Sequence, residues 1–82
     1  MCDLDEERAA EVAGRHGVER VFTDYDEFVR SGLDIVVVAS PAPIHGEQSI
    51  LALGCGVHVL SEVPAVSTLE EADRLSVAVE ES

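Results

Sequence analysis

Apolar positions follow a helical spacing in the first third of the chain. This spacing runs through Asp5–His16, and Gly17 follows where a helix commonly ends in a left-handed residue. Asp5 is placed to cap the first turn of this helix. Asp24 and Glu27 have the spacing of a capping box, which predicts a short second helix. The apolar face of that helix is expected to comprise Tyr25, Phe28 and Val29.

The rest of the chain predicts two strands and two helices. Ile35–Ala39 is a run of mostly β-branched residues without alternation, typical of a parallel strand covered on both faces. Two prolines predict a loop over Ser40–Pro43, and a helix is expected over residues 44–53. Val57–Leu60 is the next predicted strand, and a capping box over Thr68–Glu71 opens the last helix. The apolar stripe of that helix is expected to comprise Leu69, Ala72, Leu75 and Val79.

Strands and helices therefore alternate along the whole chain. Met1–Asp3 has the character of a strand end, and Val21-Phe22 forms a second short apolar step. Alternation at this spacing predicts βαβ units on a parallel sheet, which is an α/β fold. The length of 82 residues allows one small domain, which we expect to span residues 1–82.

Composition excludes several classes of function. Seventeen acidic and five basic residues give a net charge of −12, which disfavours nucleic acid and anionic membrane surfaces as partners. All basic residues are arginine, so no lysine amine is available for catalysis. Neither a membrane span nor a signal peptide is expected, and the two cysteines predict reduced, partly buried thiols in a cytoplasmic protein. The three histidines stand on different predicted elements, so no metal site is expected.

Three segments at the carboxyl ends of predicted strands carry candidate chemistry. Asp3 has the position of an acid that binds ribose hydroxyls in a dinucleotide-binding half-domain, and the alternative is that it caps the next helix, as Asp5 also could. The loop from Ser40 to His45 follows the clearest strand, where it serves either a ligand or an ordinary connection. His45 stands near a helix N-terminus, which predicts a neutral ring that donates or accepts a hydrogen bond. The carboxylate of Glu62 could bind a sugar hydroxyl, with Pro64 fixing the turn.

Taken in order, these segments resemble one family, the glucose–fructose oxidoreductase, inositol dehydrogenase and MocA group (Gfo/Idh/MocA) of nicotinamide-dependent dehydrogenases. The resemblance covers nearly the whole chain. The matching stretches are Cys2–Ala9, Thr23–Glu27, Leu33–His45, Gly56–Pro64 and Thr68–Ala72.

The resemblance implies a cofactor, NAD or NADP, and assigns residues to it. Asp3 matches the family's ribose-binding acid. The segment against the pyrophosphate and the nicotinamide ribose is matched by Ser40, Pro41, Ala42, Pro43 and His45. Beside the nicotinamide, the outer residues of the family's Glu-Lys-Pro motif are matched by Glu62 and Pro64.

The sequence also departs from the family pattern. Val63 occupies the position of the motif's lysine and can neither hold a charge nor move a proton, so no catalytic residue is assigned. Neither the family's first strand nor its G-x-G-x-x-G turn is found among these residues, and the substrate domain is likewise missing. Because the first strand is the centre of a 3-2-1-4-5-6 sheet, two separate strand pairs with exposed edges are expected. The fold class implied is a partial Rossmann-like, doubly wound parallel sheet in one incomplete dinucleotide-binding domain.

Two functional hypotheses follow. In the first, the chain is a fragment of an NAD(P)-dependent oxidoreductase whose parent acts on a sugar- or polyol-like substrate, and the chain alone is inactive. In the alternative, it is a non-catalytic α/β interaction module that self-associates through unpaired strand edges. A phosphoacceptor receiver domain is set aside, because that function needs an aspartate after a central strand and a later lysine, whereas Ser40 and Pro41 follow the strand here.

Overall fold

A computed structural model describes residues 1–82, which form two compact units, Met1–Ser31 and Gly32–Ser82. Each helix and strand lies wholly within one unit. None of the helices combines the length and apolarity needed to cross a membrane. The elements in chain order are α1 (Glu6–His16), α2 (Tyr25–Val29), β1 (Ile35–Val38), α3 (His45–Gly54), β2 (His58–Ser61) and α4 (Leu69–Glu81).

Helix α1 begins and ends where local sequence signals predict. The side chain of Asp5 accepts a hydrogen bond from the backbone N–H of Arg8 at 3.1 Å, which satisfies one otherwise unpaired donor of the first turn. Gly17 adopts a φ of 69°, and its N–H donates to the carbonyl of Ala13. This left-handed conformation strains a residue with a side chain, so glycine suits the position. Ala9 and Ala13 form the buried face of the helix.

Helix α2 is only five residues long and is held by its cap and its apolar face. Asp24 accepts hydrogen bonds from the backbone N–H groups of Asp26 and Glu27. The predicted face is confirmed, because Val29 is buried while Tyr25 and Phe28 are half-buried.

The first unit also contains one parallel strand contact. Cys2 pairs with Phe22 in an isolated bridge. The N–H of Phe22 donates to the carbonyl oxygen of Met1 at 2.8 Å, and the N–H of Asp3 donates to the carbonyl oxygen of Phe22 at 3.1 Å. Two short apolar segments therefore pair as the sequence predicts, but over a single residue pair.

The second unit is built on a two-stranded parallel sheet. The register runs from Ile35 opposite His58 to Val38 opposite Ser61. The N–H of Glu62 then donates to the carbonyl of Val38 at 2.9 Å and extends the pairing past β2. Helix α3 contacts both strands, and α4 packs against α3. Two separate parallel pairings agree with the predicted partial sheet.

Strand β1 is buried on one face only, which corrects the prediction of cover on both faces. Val36 and Val38 are buried, whereas Ile35 and Val37 are 58% and 60% exposed. On β2, Leu60 is also 60% exposed. The reason is that α3 covers the face carrying Val36 and Val38, whereas the side chains of the opposite face remain open to solvent.

Two further predictions need correction. The predicted loop contains a 3-10 turn over Ala42–Ile44, because a proline fits the first turn of a helix, where its missing N–H is not needed. In α4 the predicted stripe is only half right, since Leu69 and Val79 are exposed. The half-buried residues of α4 are Glu71, Ala72, Leu75 and Ala78.

Candidate functional site

The carboxyl ends of β1 and β2 bring two of the predicted segments together. Because the strands are parallel, the loop Ser40–Pro43 and the turn Glu62–Pro64 leave the sheet at the same edge. The hydrogen bond from Glu62 to the carbonyl of Val38 fixes the start of the turn beside the end of β1. This is the edge at which open α/β sheets bind ligands.

The loop is tied to α3 at its start and exposed at its tip. Ser40 is half-buried, and its hydroxyl donates to the side-chain oxygen of Gln48. The carbonyl of Pro41 accepts from the N–H of Ile44 at 3.1 Å. Pro41, Ala42 and Pro43 are exposed, so the surface that the loop offers a ligand is largely that of their side chains, since the carbonyls of Pro41 and Ala42 accept hydrogen bonds within the loop.

His45 connects the loop to the turn. It is the first residue of α3 and is only 3% exposed. Its Nδ1 lies 2.9 Å from the carbonyl oxygen of Pro64, and its Nε2 contacts the carbonyl oxygen of Ser40. One buried ring thus spans both candidate segments.

The surroundings of His45 favour the charged ring, so the predicted preference for the neutral form is wrong in direction. Hydrogen bonding to the Pro64 carbonyl, followed by that to the Ser40 carbonyl, raises the pKa of His45 above its ordinary value of 6.5. Burial acts in the opposite direction, and the negative charge of Glu62 adds to the increase. The expectation of a neutral ring rested on the helix N-terminus and took no account of these two carbonyl acceptors.

The turn after β2 presents its side chains outward. Glu62 and Pro64 are exposed, and Val63, which stands in the place of the family lysine, is 86% exposed. The peptide bond between Val63 and Pro64 is cis. The turn therefore offers one carboxylate and an apolar surface, with no amine.

Asp3 lies in the other unit, Met1–Ser31, directly after the bridge residue Cys2. The residue is half-buried, and its Oδ1 accepts from the N–H of Asp5 at 2.9 Å. Asp5, and not Asp3, caps α1. Oδ1 of Asp3 thus orders the connection to α1, whereas Oδ2 takes no part in the hydrogen bond with the Asp5 N–H.

Two contacts between α3 and α4 were not predicted from the sequence. A side chain at Gly46 would place its Cβ 2.8 Å from Oε1 of Glu71, and that same oxygen accepts from the N–H of Ser67 at 2.8 Å. Arg74 forms an ion pair with Glu47 at 2.7 Å, and hydrogen bonding to this guanidinium lowers the pKa of Glu47. The capping-box motif identified Glu71, but no local signal indicates which residue of another helix it meets.

The remaining reactive side chains do not converge. No group of three or more histidine, cysteine, aspartate or glutamate side chains is arranged to hold a metal ion. Cys2 and Cys55 are free and half-buried, as predicted, and burial raises the pKa of the Cys2 thiol.

The chain is similar in sequence to known proteins over most or all of its length. It is 39% identical over 70 residues to scyllo-inositol 2-dehydrogenase (NADP(+)) IolU of Bacillus subtilis (strain 168), covering 84% of this chain and 21% of the relative. It is 35% identical over 83 residues to 1,5-anhydro-D-fructose reductase of Ensifer adhaerens, covering 100% of this chain and 25% of the relative. The chain thus spans about a fifth to a quarter of the length of these relatives.

Solved structures agree with the sequence comparison. The chain superposes with a TM-score of 0.90 on scyllo-inositol dehydrogenase from Lactobacillus casei with bound cofactor NAD(H) and scyllo-inositol. The sequence identity is 28%, with 98% of this chain and 24% of that chain covered. The sequence model of an oxidoreductase family with an NAD-binding Rossmann fold matches residues 1–82. The chain therefore belongs to this Gfo/Idh/MocA oxidoreductase family, whose fold is an NAD-binding Rossmann fold.

Proposed function

We propose that these 82 residues form an incomplete dinucleotide-binding domain that supplies the ribose and nicotinamide contacts of a cytoplasmic NAD(P)-dependent oxidoreductase. The observation that carries this proposal is the meeting of Ser40–Pro43 and Glu62–Pro64 at the carboxyl edge of a parallel sheet. Membership of an NAD-binding family supports the choice of ligand. The partner is accordingly a nicotinamide dinucleotide.

The residues present fit one part of this cofactor. Asp3 offers Oδ2 to ribose hydroxyls, since its other oxygen is occupied by the Asp5 N–H. The exposed residues Pro41–Pro43 and the exposed turn Glu62–Pro64 provide a surface for the nicotinamide ribose and ring. A glycine-rich turn for the pyrophosphate does not occur in the sequence of these residues.

Catalysis requires groups that these residues do not supply. The bound cofactor would exchange a hydride with a substrate, whereas this chain would bind and orient the cofactor. Val63 cannot assist proton transfer, and no lysine is available to replace it. We propose that the parent protein acts on a sugar- or polyol-like substrate, because the relatives named above act on scyllo-inositol and 1,5-anhydro-D-fructose. The 82 residues alone are expected to show no dehydrogenase activity.

The proposal can be tested by nuclear magnetic resonance of the isotopically labelled 82-residue chain. Millimolar NAD(H) should shift the backbone resonances of Asp3, Ser40–Pro43 and Glu62–Pro64 more than those of the rest of the chain. ATP serves as the comparison ligand, since it carries an adenosine ribose and phosphates but no nicotinamide. Shifts at Ser40–Pro43 and Glu62–Pro64 that appear with NAD(H) and are absent with ATP would support the assignment, whereas shifts scattered over α4 would contradict it.

A second candidate function is supported by the open face of the sheet. Ile35, Val37 and Leu60 lie exposed on one face, and each strand has one unpaired edge. This arrangement favours a non-catalytic module that self-associates through its strands. Sedimentation distinguishes the two candidates, because a discrete, cooperatively melting dimer without NAD(H) binding would favour self-association as the function.

A further inference from the structure

Each ring nitrogen of His45 faces a backbone carbonyl oxygen, which is a hydrogen-bond acceptor. Nδ1 meets the carbonyl of Pro64 at 2.9 Å, and Nε2 meets the carbonyl of Ser40. A neutral imidazole carries only one N–H, whereas an imidazolium carries two. In the neutral ring, a bare nitrogen would therefore face a carbonyl oxygen in a buried position, which is unfavourable. Only the charged ring satisfies both contacts together.

The charges around the ring are consistent with this protonation state. Glu62, in the turn after β2, is the carboxylate that acts on the ring. Glu71 of α4 lies against the position of Gly46, the next residue, while Glu47 of α3 is paired with Arg74. Within β1 and its loop, the contact with the ring comes from the uncharged carbonyl of Ser40. Glu62 is therefore the negative charge that acts on the ring, and it favours the imidazolium.

We propose that His45 is a positioning residue that, as an imidazolium, clamps the Ser40–Pro43 loop to the Glu62–Pro64 turn and holds both halves of the candidate cofactor surface in register. The consequence for cofactor binding rests on the proposed function, but the clamp itself does not. Because the contacts raise the pKa of His45, the clamp is complete below the ordinary value of 6.5 and weakens as pH rises through the higher folded value.

The test follows both ring nitrogens and both carbonyl carbons of the labelled chain by nuclear magnetic resonance between about pH 5 and 8. At the acid end we expect N–H signals at Nδ1 and at Nε2 of His45. The carbonyl carbons of Ser40 and Pro64 should titrate with the ring at one common midpoint above 6.5. A ring with only one N–H at the acid end, or carbonyls that ignore its titration, would overturn the proposal.

Two variants separate the clamp from general effects of pH. His45→Gln keeps a polar side chain but cannot titrate, so the pH dependence of both carbonyl signals should disappear. His58→Gln removes an exposed histidine from β2 and should leave that dependence intact. Loss of the carbonyl titration in His58→Gln would contradict the proposal, and if His45→Gln does not fold, the wild-type titration alone decides.

Addition of NAD(H) distinguishes failure of the clamp from failure of the proposed function. Joint titration of the ring and carbonyls establishes the clamp whether or not the nucleotide binds. If NAD(H) shifts no resonance of either segment while the titration is observed, the proposed function fails and the clamp stands. If the nucleotide shifts both segments while the ring and carbonyls titrate independently, the clamp fails and the proposed function stands.

Discussion

The one-sided burial of β1 makes a quantitative prediction for two neighbouring valines. Val38 is 3% exposed and Val37 is 60% exposed, although both lie on the same four-residue strand. Substitution by alanine removes the equivalent of two methylene groups at either position. At roughly 0.8 kcal/mol for each buried group, with a further contribution from the cavity, Val38→Ala should cost about 1.5–2.5 kcal/mol. Both substitutions lose β propensity, and beyond that loss Val37→Ala should lower the free energy of unfolding by about 0.5 kcal/mol or less.

Thermal unfolding followed by far-ultraviolet circular dichroism provides the assay, because the chain has no tryptophan and one tyrosine. For a domain of this size, 1 kcal/mol corresponds to about 4–8 °C, so Val38→Ala should lower the Tm by roughly 6–20 °C. Val37→Ala is the matched control, since it changes the same atoms on the same strand. Equal losses in the two variants, or a larger loss in Val37→Ala, would refute the described register and its buried face. A complete loss of the transition in Val38→Ala alone supports it.

Three further predictions concern other contacts. Gly46→Ala should be about 1 kcal/mol less stable in urea unfolding than Gly54→Ala, because its Cβ would displace the Glu71 carboxylate and weaken the hydrogen bond that this carboxylate accepts from the Ser67 N–H. Both substitutions gain the same helix propensity, and a Cβ at Gly54 meets no atom within 4 Å. Glu47→Gln should reduce the loss of unfolding free energy at acid pH. Hydrogen bonding to Arg74 lowers the pKa of Glu47 below 4.5, so the stabilisation by this ion pair is present above pH 4.5 and is lost as pH falls through the folded pKa. Asp3→Asn should reduce the preference for NAD over NADP in resonance-shift titrations, since a neutral side chain no longer repels the 2′-phosphate; unchanged preference would contradict the ribose role.

Elements set by neighbouring residues were predictable from the sequence. Asp5, Asp24 and Thr68 all cap helices as expected, since an N-cap interacts with backbone groups two or three residues away. The parallel pairing of β1 with β2 was likewise predictable from the alternation of strands and helices. These features depend on short separations and regular spacing.

Features that depend on distant partners were not predictable. The contacts of His45 join residues five and 19 positions away, and the Arg74–Glu47 pair joins residues 27 apart. Periodicity also predicted that Leu69 lies on the buried stripe of α4, but Leu69 is 87% exposed. Periodicity does not specify how far along the helix the packing against α3 extends. The candidate segments and His45 were identified from the sequence, whereas the contacts by which the His45 ring joins the two segments were found only from the structure.

The affinity of the 82-residue chain for NADH decides whether these residues form only part of a dinucleotide-binding domain. We propose ribose and nicotinamide contacts for these residues, but their sequence has no glycine-rich turn for the pyrophosphate, and the net charge of −12 opposes an anionic ligand. Calorimetric titration of the 82-residue chain with NADH should therefore give a Kd in the millimolar range or weaker. A micromolar Kd would show that these residues alone hold the whole dinucleotide, and the proposal of an incomplete binding domain would then be wrong.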